Sequence, residues 1–151
     1  MKDNEQIVSD LKEVLEMVND GKEGYESAFE ATESQELKAV FAKYMGERIV
    51  FASDLKEHIA THAGEAENEN GGLLGGLHRT WLTIKHALST KKDHALLEAI
   101  ITGEKAALEK YDVYIANYER HADHLKLLST QRDGIAAAIA EIQGLSYQYK
   151  A

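Results

Sequence analysis

Cysteine and proline are both absent from this chain of 151 residues. Without Cys there are no disulfides, zinc ribbons, thiolate clusters or cysteine nucleophiles, and the redox compartment is left open. Average usage would place about seven prolines in a chain of this length. Proline sits in turns and at strand edges, so its absence favours long helices over many-turned β folds. Basic residues are in deficit, with 17 Lys and Arg against 26 Asp and Glu for a formal net charge of −9. That balance argues against sequence-independent nucleic-acid binding, which needs cations to neutralise phosphates. No apolar run approaches about 18 residues, and Met1-Lys2-Asp3-Asn4-Glu5 has no apolar signal region. The expectation is a soluble cytoplasmic protein with no membrane and no nucleic-acid partner. What is present, 44% hydrophobic and 28% charged residues, is an ordinary globular balance. The length suits a single domain spanning 1–151, with ample core.

Apolar residues recur at three- and four-residue steps in five segments, and none alternates with strand period. The first segment, Asn4 to Thr32, carries Ile7, Leu11, Val14, Leu15, Val18, Tyr25, Ala28 and Phe29. Ser34 then reads as the N-cap of a second helix, striped by Leu37, Val40, Phe41, Tyr44, Phe51, Leu55 and Ile59 and ending near Gly64. After the acidic, Gly-ended loop 65–72 comes a short helix, Leu74 to Leu88, with Leu77, Trp81, Ile84 and Leu88 on one face. The fourth segment, His94 to Tyr118, and the fifth, Ala122 to Tyr149, complete the pattern. Four segments are about 25–30 residues long, or about 40 Å each. The second and fourth are separated by enough chain to run back along a bundle, so they can lie parallel. The predicted fold is therefore all-α, a four-helix bundle with one long crossover that holds a short fifth helix. An up-down-up-down bundle with a docked extra helix is the rival.

The stretch Gly72-Leu73-Leu74-Gly75-Gly76-Leu77-His78-Arg79-Thr80-Trp81-Leu82-Thr83-Ile84-Lys85 resembles a bacterial family of ferritin-like proteins of unknown function. Asp20-Gly21 with Tyr25, Glu47-Arg48 with Phe51, and Leu97-Glu98 with Gly103-Glu104 and Ala106-Ala107-Leu108 carry the same resemblance. It spans nearly the whole chain and implies a ferritin-like fold, with relatives associated with stress responses. It implies no reaction.

Ferritin-like di-iron centres take a Glu from each of two helices and a Glu-x-x-His from each of the other two. On a wheel of about 100° per residue, Glu104 is the most inward acid, between Ile101 and Leu108. Glu47 flanks its stripe, but Val50 stands three residues on where a His would be needed, and Arg48 holds the central place. Glu26 flanks the stripe of the first helix, and Glu23 lies further round. The fifth segment offers Gly134, Ile135, Ala138 and Ile139 in that layer, none of them a ligand. Two readings remain open. Glu23 or Glu26, with Glu47 and Glu104, hold iron or another divalent metal weakly in the core; or no metal binds there, and Arg48 pairs with Glu104 in a buried polar layer.

Seven histidines are many for this length. His58 and His62 lie four apart near the end of the second helix, and His121 and His124 three apart at the start of the fifth. Such spacings put imidazoles on one helical face, as a shared ion requires. In the crossover topology the two pairs lie at the same end of the bundle, with Asp123 or Glu57 behind them. A pH-sensitive cap without metal is the alternative. His78, His86 and His94 read as packing or hydrogen-bonding residues, and Tyr111, Tyr114, Tyr118, Tyr147 and Tyr149 as packing residues with wet hydroxyls. No Ser/His/Asp arrangement emerges, so an enzyme is the weaker expectation. The function read from the chain is a stress-associated metal-binding bundle, or a non-catalytic bundle acting through contacts. A homodimer through exposed apolar residues of the first helix or the crossover, or another protein partner, follows from the second.

Overall fold

A computed structural model describes residues 4–61, 92–117 and 122–150. Among the described residues the protein is all-helical: α1 (Asn4–Ala31), α2 (Gln35–Thr61), α3 (Asp93–Asn117) and α4 (Ala122–Gln148). These are the first, second, fourth and fifth segments of the sequence pattern. The short crossover helix expected over 74–88, with Trp81, His78 and His86, lies outside the described residues, as does the acidic loop.

The helix starts follow from local chemistry. Ser34 Oγ accepts the Leu37 amide at 3.2 Å, the N-cap bond that its position foretells. Thr32, in the three-residue turn before it, accepts the Ser34 amide and donates to Asp93 Oδ1 at 2.6 Å. One hydroxyl thus ties the α1–α2 turn to the first residue of α3. At this turn end Tyr149 also reaches Ser34 and Glu36 across from the end of α4.

Side-chain pairs fix the helix directions. Thr32 with Asp93 and Glu13 with Lys110 make α1 and α3 antiparallel. Ser34 with Tyr149, Lys43 with Glu141 and His58 with His124 make α2 and α4 antiparallel. Since α1 and α2 are joined by a tight turn and pack side by side, α2 and α3 run parallel. The chain therefore leaves α2 at one end of the bundle and enters α3 at the other. An up-down-up-down connection is excluded by those endpoints.

The core falls into two apolar blocks. One, toward the far end, joins Leu11, Leu15, Val18, Leu55, Ile59, Leu128 and Ile135. The other, toward the turn end, joins Ala28, Leu37, Phe41, Leu97, Ile100, Ile142 and Leu145. Between them Arg48 and Glu104 are sealed at 1% and 0% exposure. Among the described residues, the exposed large apolar side chains are Ile49 and Val50 on α2, Val113 on α3 and Tyr147 on α4. None of these is on α1. No helix among the described residues is long and apolar enough to cross a membrane.

Candidate functional site

The layer between the two apolar blocks is built by three helices. Arg48 reaches from α2 across the bundle to Glu104 on α3, donating from Nη1 to Oε1 at 2.7 Å and from Nη2 to Oε2 at 2.5 Å. This two-pronged fit is the geometry in which guanidinium and carboxylate bind most strongly. Tyr25 on α1 donates its hydroxyl to Glu104 Oε2 at 2.6 Å. The rings of Tyr25 and Phe51 also flank the guanidinium, 5.4 and 5.6 Å from its carbon. Burial acting alone would lower the Arg48 pKa, but Glu104 against it raises it, so the cation is held firmly charged. Burial, and then the Glu104 charge, push the Tyr25 phenol well above its ordinary range. Both oxygens of Glu104 are thus committed.

A second tier lies against the far-end block. Tyr111 donates to Gln131 Oε1 at 2.6 Å, and Gln131 Nε2 donates to the Phe51 carbonyl at 3.2 Å. Tyr111 is fully buried, which raises its pKa. The expected wet hydroxyl is a dry one here, because Gln131 supplies the partner that water would have been. On the other side of the layer, Tyr44 donates to Glu141, which also accepts from Lys43. Burial first, and then the Glu141 hydrogen bond, push the Tyr44 phenol up to about 12.

The remaining acids of the sequence pattern scatter. Glu47 is half-buried beside the layer, and Arg48 Nη2 is 3.8 Å from its Oε1. That oxygen has no hydrogen-bond partner, nor has Arg48 Nε. Burial raises the Glu47 pKa against the pull of Arg48. Glu26 is exposed and Glu23 half-buried, the reverse of their expected order on the helix wheel. Glu26 therefore does not join Glu104: its neighbour Tyr25 takes the inward place on α1. From α4 the layer receives no ligand. Gly134 faces it, and a Cβ there would stand 2.8 Å from Phe51 Cζ and 3.3 Å from Glu47 Oε1. The glycine lets α4 close over those two side chains.

These residues do not fit the dinuclear centre that the ferritin-like resemblance implies. A fixed guanidinium stands where dications would sit, and the best carboxylate already accepts three hydrogen bonds. Ile135, Ala138 and Ile139 line the fourth wall.

At the far end the structure brings two of the four singled-out histidines together. His58 Nε2 and His124 Nδ1 are 2.6 Å apart, with the rings edge to face. Asp123 Oδ2 lies 3.7 Å from each of those nitrogens. His62 and His121 lie outside the described residues. His94, at the turn end, has Nδ1 within 3.1 Å of the Ser146 carbonyl, the tie to the bundle expected of it. An open groove of about 290 Å³ beside it is lined by Glu98, Lys105, Gln143 and Tyr147.

Sequence reasoning missed Tyr25 and Gln131 as parts of the polar layer and put Asp123 behind the histidines instead of level with them. The signal for Tyr25 was present: a tyrosine inside an apolar stripe carries a hydroxyl that must find a partner.

The family model of a domain of unknown function, DUF2383, matches residues 6–117. The chain belongs to this family. The match takes in α1, α2 and α3, and with them Tyr25, Glu47, Arg48 and Glu104. It stops before α4, so Asp123, His124, Gln131 and Glu141 lie beyond it. No curated protein and no solved structure matches the chain.

Proposed function

We propose that this DUF2383 protein is a ferritin-like, non-catalytic bundle that acts through structural or partner contacts. In this reading a buried Arg48–Glu104 pair fills the layer used for metal in di-iron relatives. The observation that carries it is the commitment of both Glu104 oxygens to Arg48 and Tyr25. Three hydrogen bonds fill most of the roughly four acceptor sites of this carboxylate, and the neighbouring cation opposes a second positive charge. The crossover path from α2 to α3 supports the ferritin-like part. A role alongside stress-associated bacterial relatives follows from the sequence resemblance, and a cytoplasmic location is part of the same proposal.

One observation favours weak metal binding in the core: Glu47 holds a buried oxygen without a hydrogen bond beside the layer. Anaerobic Fe(II) titration of untagged, chelator-stripped protein separates the two readings. The non-catalytic reading expects no stoichiometric iron that depends on Glu104. About two irons per chain, lost in Glu104→Ala but kept in an exposed control such as Glu30→Gln, would establish the core site instead.

A further inference from the structure

The cluster at the far end of the bundle is separate from the Arg48–Glu104 layer. His58 comes from the last turn of α2, and Asp123 and His124 from the first turn of α4. His124 is 1% exposed, His58 is half-buried, and the Asp123 side chain is 60% exposed. The three atoms His58 Nε2, His124 Nδ1 and Asp123 Oδ2 form a triangle with sides of 2.6, 3.7 and 3.7 Å. The point equidistant from all three lies about 2.0 Å from each, the length of a Zn–N or Zn–O bond. Two imidazoles and one carboxylate are also a borderline donor set, suited to zinc-class ions and poorly suited to Ca²⁺ or Mg²⁺.

We propose that His58, His124 and Asp123 form a binding site for one zinc-class divalent ion, which clamps the end of α2 to the start of α4. The inward histidine fixes one ligand against the core, and the exposed carboxylate supplies the third from the surface. On loading, the two imidazoles move apart by some tenths of an ångström to reach a tetrahedral separation, and the proton between them gives way to one on the far nitrogen of the same ring, so both imidazoles stay neutral. The ligands straddle the family boundary, since His58 lies within the matched stretch and the other two beyond it. The family match thus takes in one of the three proposed ligands.

The test is titration of untagged, chelator-stripped full-length protein with Co(II), followed by displacement with Zn(II). One Co(II) per chain is expected, with visible absorption typical of a four- or five-coordinate N/O site. Zn(II) should bleach it and raise the Tm. His58→Ala should abolish the signal, and Asp123→Ala should weaken affinity by at least about tenfold. Because Asp123 is exposed, its variant stays folded even if His58→Ala does not, and circular dichroism checks both. Glu47→Gln should leave the Co(II) spectrum unchanged. Absence of Co(II) and Zn(II) binding would overturn the proposal and leave a histidine–histidine hydrogen bond. Binding of undiminished affinity in Asp123→Ala would overturn it too. Binding lost in Glu47→Gln but kept in Asp123→Ala would move the ion to the mid-bundle layer. That result would overturn the non-catalytic reading as well, whereas Co(II) failure alone leaves that reading intact.

Discussion

Arg48 and Glu104 hold each other in place, because neither charge could remain dry alone. Removing one partner should cost far more than removing the whole group. Glu104→Ala strands a buried guanidinium and is expected to destabilise the fold by about 3–5 kcal/mol. The triple replacement Arg48→Met, Glu104→Leu and Tyr25→Phe removes the polar layer together with its third hydrogen-bonding partner. It is expected to lie close to wild-type stability, by analogy with other buried ion pairs replaced by apolar residues. Urea midpoints of the two variants check this, and equal losses would refute it. The sequence made this pair legible because a helix wheel puts both residues on their central stripes. It did not reveal Glu26 turning outward, since a wheel resolves angle only to within a residue and the packing of Tyr25 decides which neighbour goes in.

Among the elements, α2 and α4 are held together largely by side chains that reach between them. Lys43, Tyr44 and Glu141 form one such strap. The Lys43 hydrogen bond first, and then that of Tyr44, hold the Glu141 carboxyl below the usual range. An acid with a depressed pKa in the folded state binds its proton more readily when unfolded. Its contribution is therefore complete above about pH 4.5 and fades as pH falls through the folded value. Glu141→Gln should flatten the stability–pH curve below about pH 5, measured by thermal melts across that interval. A variant curve parallel to wild type would show that the strap is not coupled to folding. The four long helices and the Ser34 cap were readable from spacing and from a single hydroxyl residue. The Thr32–Asp93 tie was not, because it joins residues distant in sequence through a turn that periodicity does not describe.

Across the whole molecule, the polar layer divides the core into two apolar blocks. This division has a mechanical consequence. A slip of α2 along its partners would pull Arg48 into one apolar block and strand Glu104, so the pair also opposes sliding of the helices. The parallel course of α2 and α3 was foreseen from the length of the connection, and the pairs at both ends of the bundle bear it out. Convergence of the histidines was harder to read. Spacing set their faces, but only the antiparallel register of α2 and α4 puts His58 opposite His124. The central claim of the proposal is that a fixed cation fills the layer where ferritin-like di-iron proteins in general hold their metal. Anomalous diffraction at the iron edge, from crystals grown in excess Fe(II), tests it most directly. The account predicts no anomalous peak between Glu104 and Glu47, with Arg48 still paired two-pronged to Glu104. A peak there, with the guanidinium swung away, would contradict it.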